Sequence, residues 1–314
     1  MIETLSKTIG DTFNLLIKSF RLSSIFPALC FVLINVSLLM LYPFDQNLRS
    51  FLQGTDFLAN PGLLVFIFIL TALVSYILNY LNFPLIYLAE GYSFAGNWWF
   101  RFCRDWQMTY KKFLEQKSKD TSLPEFERMI LEERLSDYFP PETERCAPTA
   151  LGNVTAAFEA YPYRRYGIDA VYMWPRLVPI LSKEEYAVFV EREKGGVDFF
   201  LNSFILCSIL AFESIVLRFL LGNSLFTWIA LISGTIAFFS YQATVRCAVN
   251  WGETIKTAFD LYRYPLAKQL ALSPFTDKVD ETLCWGDISD FIKGYRDFFR
   301  FSYPMPKEKQ EKDE

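Results

Sequence analysis

Apolar residues run along this chain in four long blocks, and between them they drop back to helical spacing. The blocks are Ile25–Leu41, Leu63–Leu88, Phe199–Leu221 and Leu225–Val245. Each approaches or exceeds the ~20 residues that a helix needs to cross a hydrocarbon core. The last two are separated only by Gly222-Asn223-Ser224, a turn that can join only antiparallel neighbours. The pattern predicts an all-α polytopic membrane protein with four transmembrane helices and a helical cytosolic domain. The spans are expected at 23–42, 61–90, 197–221 and 225–248. An outer loop (43–60) and an outer turn (222–224) join them in pairs.

The remaining segments read as amphipathic helices. Ile2, Leu5, Ile9, Phe13, Leu16 and Phe20 put an apolar face on residues 1–22, which fits a helix lying in the membrane interface. Ser23-Ser24 can cap the first span, and Pro84 kinks or ends the regular part of the second. Trp98-Trp99-Phe100 makes an aromatic anchor beyond that span. Within 91–196, a helix is expected at Tyr110–Lys119. A capping box, Ser122-Leu-Pro-Glu125, opens another that turns Phe126, Met129, Ile130 and Leu135 inward and stops at Pro140-Pro141. Gly152-Asn153 reads as a turn capping a helix over Val154–Tyr161. Ser182-Lys-Glu-Glu185 reads as a second capping box, with Gly195-Gly196 breaking the chain before the hairpin. The fourth span is expected to run on to Pro265. In 249–303 a last helix, capped by Thr276 or Asp277, directs Val279, Leu283, Ile288, Phe291, Ile292, Tyr295 and Phe298 to one side. Residues 304–314, ending KEKQEKDE, read as a disordered tail.

Basic residues set the orientation. Lys7, Lys18, Arg21, Arg101, Arg104, Lys111, Lys112, Arg192, Lys194, Arg246 and Lys256 all fall on one side of a four-span topology, and the outer segments hold only Arg49. Both termini and the soluble mass are therefore expected in the cytosol. The localisation that follows is a cell inner (plasma) membrane.

Polar residues inside the spans carry the functional interest. Thr71, Ser75, Asn79 and Asn82 share one face of the second span, and Ser233, Ser240 and Thr244 share one face of the fourth. In the third span, Glu213 lies on the outer half, with Asn202 eleven residues before it on the same face. A carboxylate at that depth costs at least ~2.5 kcal/mol unless it meets protein or water. Arg218, five residues on, is poorly placed to pair with Glu213, so each is expected to find a partner elsewhere. Such stripes can line a hydrated pore or simply hold helices together.

Composition narrows the chemistry. The chain is 52% hydrophobic and 21% charged, which suits a membrane protein. It contains no histidine, which removes Ser–His and Cys–His catalysis and imidazole metal sites. Its six cysteines form no CxxC pair, and no nucleotide-binding motif is present. A net charge of −4 without a dense basic patch argues against a nucleic-acid partner. No catalytic, cofactor-binding or metal-ligating set emerges, and no cofactor is expected. A cytosolic stretch interleaves Tyr161, Tyr163, Tyr166, Tyr172 and Trp174 with Arg164, Arg165 and Arg176. Such a cluster can meet lipid headgroups, an anionic ligand or a protein partner.

Three functions follow. The first is a non-enzymatic homo-oligomer, an ion channel or pore-forming effector with Glu213 facing the path and a cytosolic regulatory domain. The second is a scaffolding membrane subunit that docks a cytosolic or membrane partner. The third is a lipid-headgroup enzyme using carboxylates such as Glu90, Glu159, Asp169 or Asp260. The segments PTALGN, YPYRRYGIDA and WPRL within Pro148–Leu177, and the later AFDLYRYPLAKQL, resemble stretches of uncharacterised bacterial multi-pass membrane proteins. The resemblance covers about a sixth of the chain. It implies a bacterial inner-membrane protein in which the two regions pack together, and it carries no activity.

Overall fold

The computed structural model describes residues 22–41, 61–183, 185–297 and 299. The segments expected as outer loop, disordered tail and, apart from Leu22, interfacial helix lie outside them, as does Phe298. Among the described residues every regular element is helical. In chain order the α-helices are α1 (Leu22–Leu41), α2 (Pro61–Tyr80), α3 (Asn82–Ala89), α4 (Trp98–Ser118) and α5 (Glu125–Tyr138). There follow α6 (Ala150–Tyr166), α7 (Ala170–Lys183), α8 (Tyr186–Leu221), α9 (Leu225–Gln269) and α10 (Lys278–Ile292). Three of these, α2, α8 and α9, are long and apolar enough to cross a membrane. Helix α1 is apolar as well, over the shorter stretch Ser23–Leu39. The chain divides into two compact units, Met1–Leu88 with Lys194–Cys247 and Ala89–Glu193 with Ala248–Glu314.

In the first unit α1 contributes to three apolar clusters. Val32 and Val36 meet Leu63 and Ile67 of α2. Ala28 joins Leu78 and Leu206, and Leu38 joins Leu210 and Phe226. The outward faces of the helices remain apolar, with Phe66, Phe68, Leu73, Phe219, Phe238 and Phe239 exposed. Helix α2 ends at Tyr80, whose carbonyl would have been the partner of the N–H that Pro84 lacks. Two expectations fail here. Ser23 and Ser24 lie inside α1 rather than capping it. Gly195-Gly196 breaks nothing, and α8 runs through both. Gly196 instead lies against Cys247, where an added Cβ would come to 3.4 Å from Sγ. The glycine serves the close approach of two helices.

The second unit has its own core. Leu114, Phe139 and Cys146 form one cluster, with Leu131, Leu135 and Tyr138 packed on it. Trp285 and Phe259 are fully buried and make tilted ring contacts with Phe275 and Trp174 respectively. Several expected details are overturned. Helix α4 starts at Trp98, twelve residues earlier than expected. Helix α5 has no capping box: Pro124 precedes it in an extended conformation, and Ser122 N donates to Asp120 instead. Phe126, Met129 and Ile130 are exposed. Leu131, Leu135 and Tyr138 form a competing stripe on the opposite side of α5, and that stripe was taken by the cluster at Cys146.

Helix α6 starts at Ala150, where Thr149 caps it by accepting from Gly152 N. Gly152 and Asn153 are therefore inside the helix, not in a turn. The second capping box is also absent, because Ser182 bonds back to Val178 and Glu185 takes φ 60. Helix α9 passes Pro265 and ends at Gln269. Asp277 caps α10 as expected, but its inner face is Glu281, Trp285, Ile288 and Ser289, while Val279 and Leu283 are exposed.

Candidate functional site

The polar stripes of the first unit turn inward and meet one another. Ser24 Oγ and Ser75 Oγ are 2.8 Å apart, and Asn79 donates to Ser24 Oγ at 2.8 Å. Asn202 Nδ2 donates to Ser23 O at 3.3 Å. Beyond them lies an ion pair. Lys194 Nζ donates to both oxygens of Asp198 at 2.8 and 2.9 Å and to Asn82 Oδ1 at 2.9 Å. Asn82 Nδ2 closes the triangle onto Asp198 Oδ1 at 2.9 Å. Asp198 is 1% exposed, and Lys194 and Asn82 are among the partners that hold its charge. Thr71, Ser233, Ser240 and Thr244 are also buried; Ser233 and Thr244 bond to carbonyls of their own helix.

In the sequence Lys194 served only the orientation argument, and its pairing with Asp198 was not read. Their signal was present, as a Lys and an Asp four residues apart at the polar foot of an apolar run.

Toward the other end of α8 the arrangement is looser. Arg218 Nε donates to Thr227 Oγ1 at 3.2 Å, bridging the Gly222–Ser224 turn. The Glu213 carboxyl has Asn35 as its polar neighbour, and its Oε2 has no hydrogen-bond partner among the described residues. The same is true of Ser214 Oγ and Thr71 Oγ1.

In the second unit the PTALGN segment works as a clasp. Pro148 packs on Gly91, whose φ of 88 and lack of Cβ both matter, since a Cβ would sit 2.5 Å from Pro148 Cγ. Thr149 Oγ1 donates to Glu90 O at 2.9 Å. Gly152 admits that same carbonyl, 2.6 Å from where its Cβ would be. Fully buried Asn153 accepts from Ala147 N at 2.8 Å and donates to Ala147 O and Gln107.

The clasp holds Glu90 near Glu159. Burial pushes the Glu90 carboxyl from 4.5 up to about 7, against a hydrogen bond with Thr155 that lowers it. Glu159 also rises to about 7, through burial first, then the nearby charges of Glu90 and Asp169, with Arg145 opposing. Glu159 keeps a solvent-exposed surface, because it lines a recess of about 370 Å³ beside Tyr92, Phe100, Arg104 and Arg145. That access weakens the desolvation part of its shift, and the repulsion from Glu90 is the more secure cause. Two carboxyls in such a place can hold or exchange a proton near neutral pH.

A second polar node joins the two resemblance segments. Tyr161 and Tyr166 both donate to Asp260, at 3.0 and 2.7 Å. Arg263 lies over the rings of Tyr166 and Tyr264, at 4.3 and 4.4 Å, and pairs with Glu281 at 3.0 Å. Gly167 ends α6 at φ 77 and lies against Thr282, whose carbonyl leaves no room for a Cβ. Asp169 pairs with Lys293 at 2.7 Å.

The four candidate ligand or partner residues of the second unit do not form one site. Arg164 and Arg165 line a recess of about 620 Å³, with Arg165 over Tyr161. Trp174 packs on Phe259, and Arg176 donates to Tyr172 O in its own helix. The described residues contain no group of three or more acidic or cysteine side chains placed to hold a metal ion. No family model, curated protein or solved structure matches the chain.

Proposed function

We propose that this chain is a non-enzymatic, four-span membrane scaffold. Its helical unit stands on the cytosolic side of an inner membrane, where a protein partner docks. The observation that carries this reading is that the polar side chains of these helices bond to one another in separate groups, Ser24 with Ser75 and Asn79, Asn82 with Lys194 and Asp198, and Asn202 with Ser23 O. Polar groups that bond within one copy hold the helices of that copy together, and the outward surface is left apolar for lipid. Helix α1 supplies the fourth span. The distribution of Lys and Arg supports an orientation with both termini inside.

The test is ion flux through proteoliposomes made with the purified chain. A scaffold gives the flux of protein-free vesicles. A protein-dependent flux that changes on Glu213→Gln overturns the scaffold and selects an oligomeric pore. That second reading has its own support, since Glu213, Ser214 and Thr71 each keep a buried polar atom that water in a hydrated path would satisfy.

A further inference from the structure

Helix α4 has three faces. Arg104, Gln107, Lys111, Leu114 and Ser118 turn toward the rest of the second unit, and Lys111, Leu114 and Ser118 are buried there. The opposite side carries Trp98, Trp99, Phe102, Trp106 and Phe113, which are 75, 54, 56, 69 and 55% exposed. At 100° per residue these five fall within one arc of about 100°. Arg101, Asp105 and Lys112 fill the strip between the aromatic arc and the inner face. A solvated helix has no use for five uncovered aromatic rings on one side, three of them indoles.

We propose that α4 lies in the membrane interface, with its aromatic arc sunk to the headgroup–acyl boundary and Arg101 and Lys112 among the headgroups. The occupant of the arc is lipid for three reasons. Tryptophan is the side chain most suited to that depth, because its ring is apolar and its N–H still finds water or phosphate. The two flanking cations complement phosphate, and they stand beside the arc rather than within it. The arc also opens only eight residues after α3 ends. At full extension those residues span at most about 30 Å, so the chain leaving the second span cannot carry Trp98 far from the bilayer. The sequence showed only the start of this feature, at Trp98 and Trp99. The exposed register of Phe102, Trp106 and Phe113 comes from the structure.

The inference rests on the membrane reading, and one reporter separates the two. The chain has seven tryptophans. Three lie on α4, Trp228 is exposed on α9, and Trp285 is fully buried. The experiment places the full chain in nanodiscs containing phosphatidylcholine brominated near the top of its acyl chains. Emission is compared with that of a Trp98→Phe/Trp99→Phe/Trp106→Phe variant, which keeps the arc aromatic, and of Trp228→Phe. We expect the emission lost in the triple variant to be quenched by bromolipid at least about twofold more than by aqueous iodide. Quenching chiefly by iodide, or by neither agent as when a second copy or another protein covers the arc, overturns the proposal. If the Trp228 component escapes bromolipid, the membrane reading itself fails. If that component is quenched and the α4 component is not, only the present inference fails.

Discussion

Replacing Glu90 with Gln tests the carboxyl pair and should stabilise the protein in a pH-dependent way. The unfolded carboxyl ionises near 4.5 and the folded one near 7. As pH rises between these values, the unfolded chain loses its proton first. Stability therefore falls through that window and is level above it. Full ionisation against such a shift costs about 3 kcal/mol as a ceiling. Glu90 is only partly buried, and solvent screening brings this to about 1–2 kcal/mol. For a unit of this size each kcal/mol moves the melting temperature by about 2–4 °C. The assay is thermal unfolding of the full chain in detergent, followed by tryptophan emission at pH 5 and pH 8. Glu90→Gln should melt about 3–6 °C above the wild type at pH 8 and within about a degree of it at pH 5. A variant that melts at or below wild type at pH 8, or an advantage independent of pH, would refute the reasoning. Removing Glu90 also removes one cause of the raised Glu159 value. Carboxyl titration by infrared spectroscopy should then find Glu159 ionising at lower pH.

Other outcomes follow from the same geometry. Asp198→Asn leaves the Lys194 ammonium without its counter-ion and should cost about 3 kcal/mol in detergent melts, whereas Lys194→Met with Asp198→Leu should recover most of it. Gly152→Ala forces a Cβ to within 2.6 Å of a backbone carbonyl and 2.7 Å of Ala147 Cβ, neither of which can swing away. It should destabilise the second unit by about 1–3 kcal/mol, seen as faster proteolysis between Ala89 and Glu193. Tyr166→Phe removes the 2.7 Å bond to Asp260 and should lower the melting temperature by about 2–6 °C, without altering the burial of Trp285 read from iodide quenching.

The apolar runs and the helical class could be read from sequence because both depend on local pattern. So could Asp277 as one of two cap candidates, because its side chain reaches only to Asp280 N, three residues on. Register on the amphipathic helices could not. Helix α5 carries apolar residues on two opposite faces, and only residues outside it, Leu114, Phe139 and Cys146, decide which face is buried. Helix α10 hides Glu281 while exposing Val279 and Leu283, because Arg263, far along the chain, supplies the acid with a partner. Gly195-Gly196 read as a break on propensity, yet the apposed Cys247 makes their small size a packing asset. The span stripes were visible by periodicity. Their partners on α1, and the Lys194–Asp198 pair that anchors Asn82, needed the folded chain. Glu90 and Glu159 stood in the sequence as two carboxylates sixty-nine residues apart, and only the clasp formed by Thr149 and Gly152 brings them near one another.

The division of the chain has a consequence for its synthesis. The second unit is built from two stretches, with Lys194–Cys247 inserted between them. When Glu193 leaves the ribosome, Phe259 and Trp285 do not yet exist, although Trp174 and the α6–α7 surface that they will cover are already made. At about 5–20 residues per second, the missing stretch takes several seconds to a quarter of a minute to arrive. On the proposed membrane reading, the nascent chain threads a hairpin into the bilayer during that interval while an apolar surface of the second unit is unfinished. Production of this protein should therefore depend on chaperone supply during translation, and slowing elongation within the hairpin should lower its yield more than slowing it after Ile292.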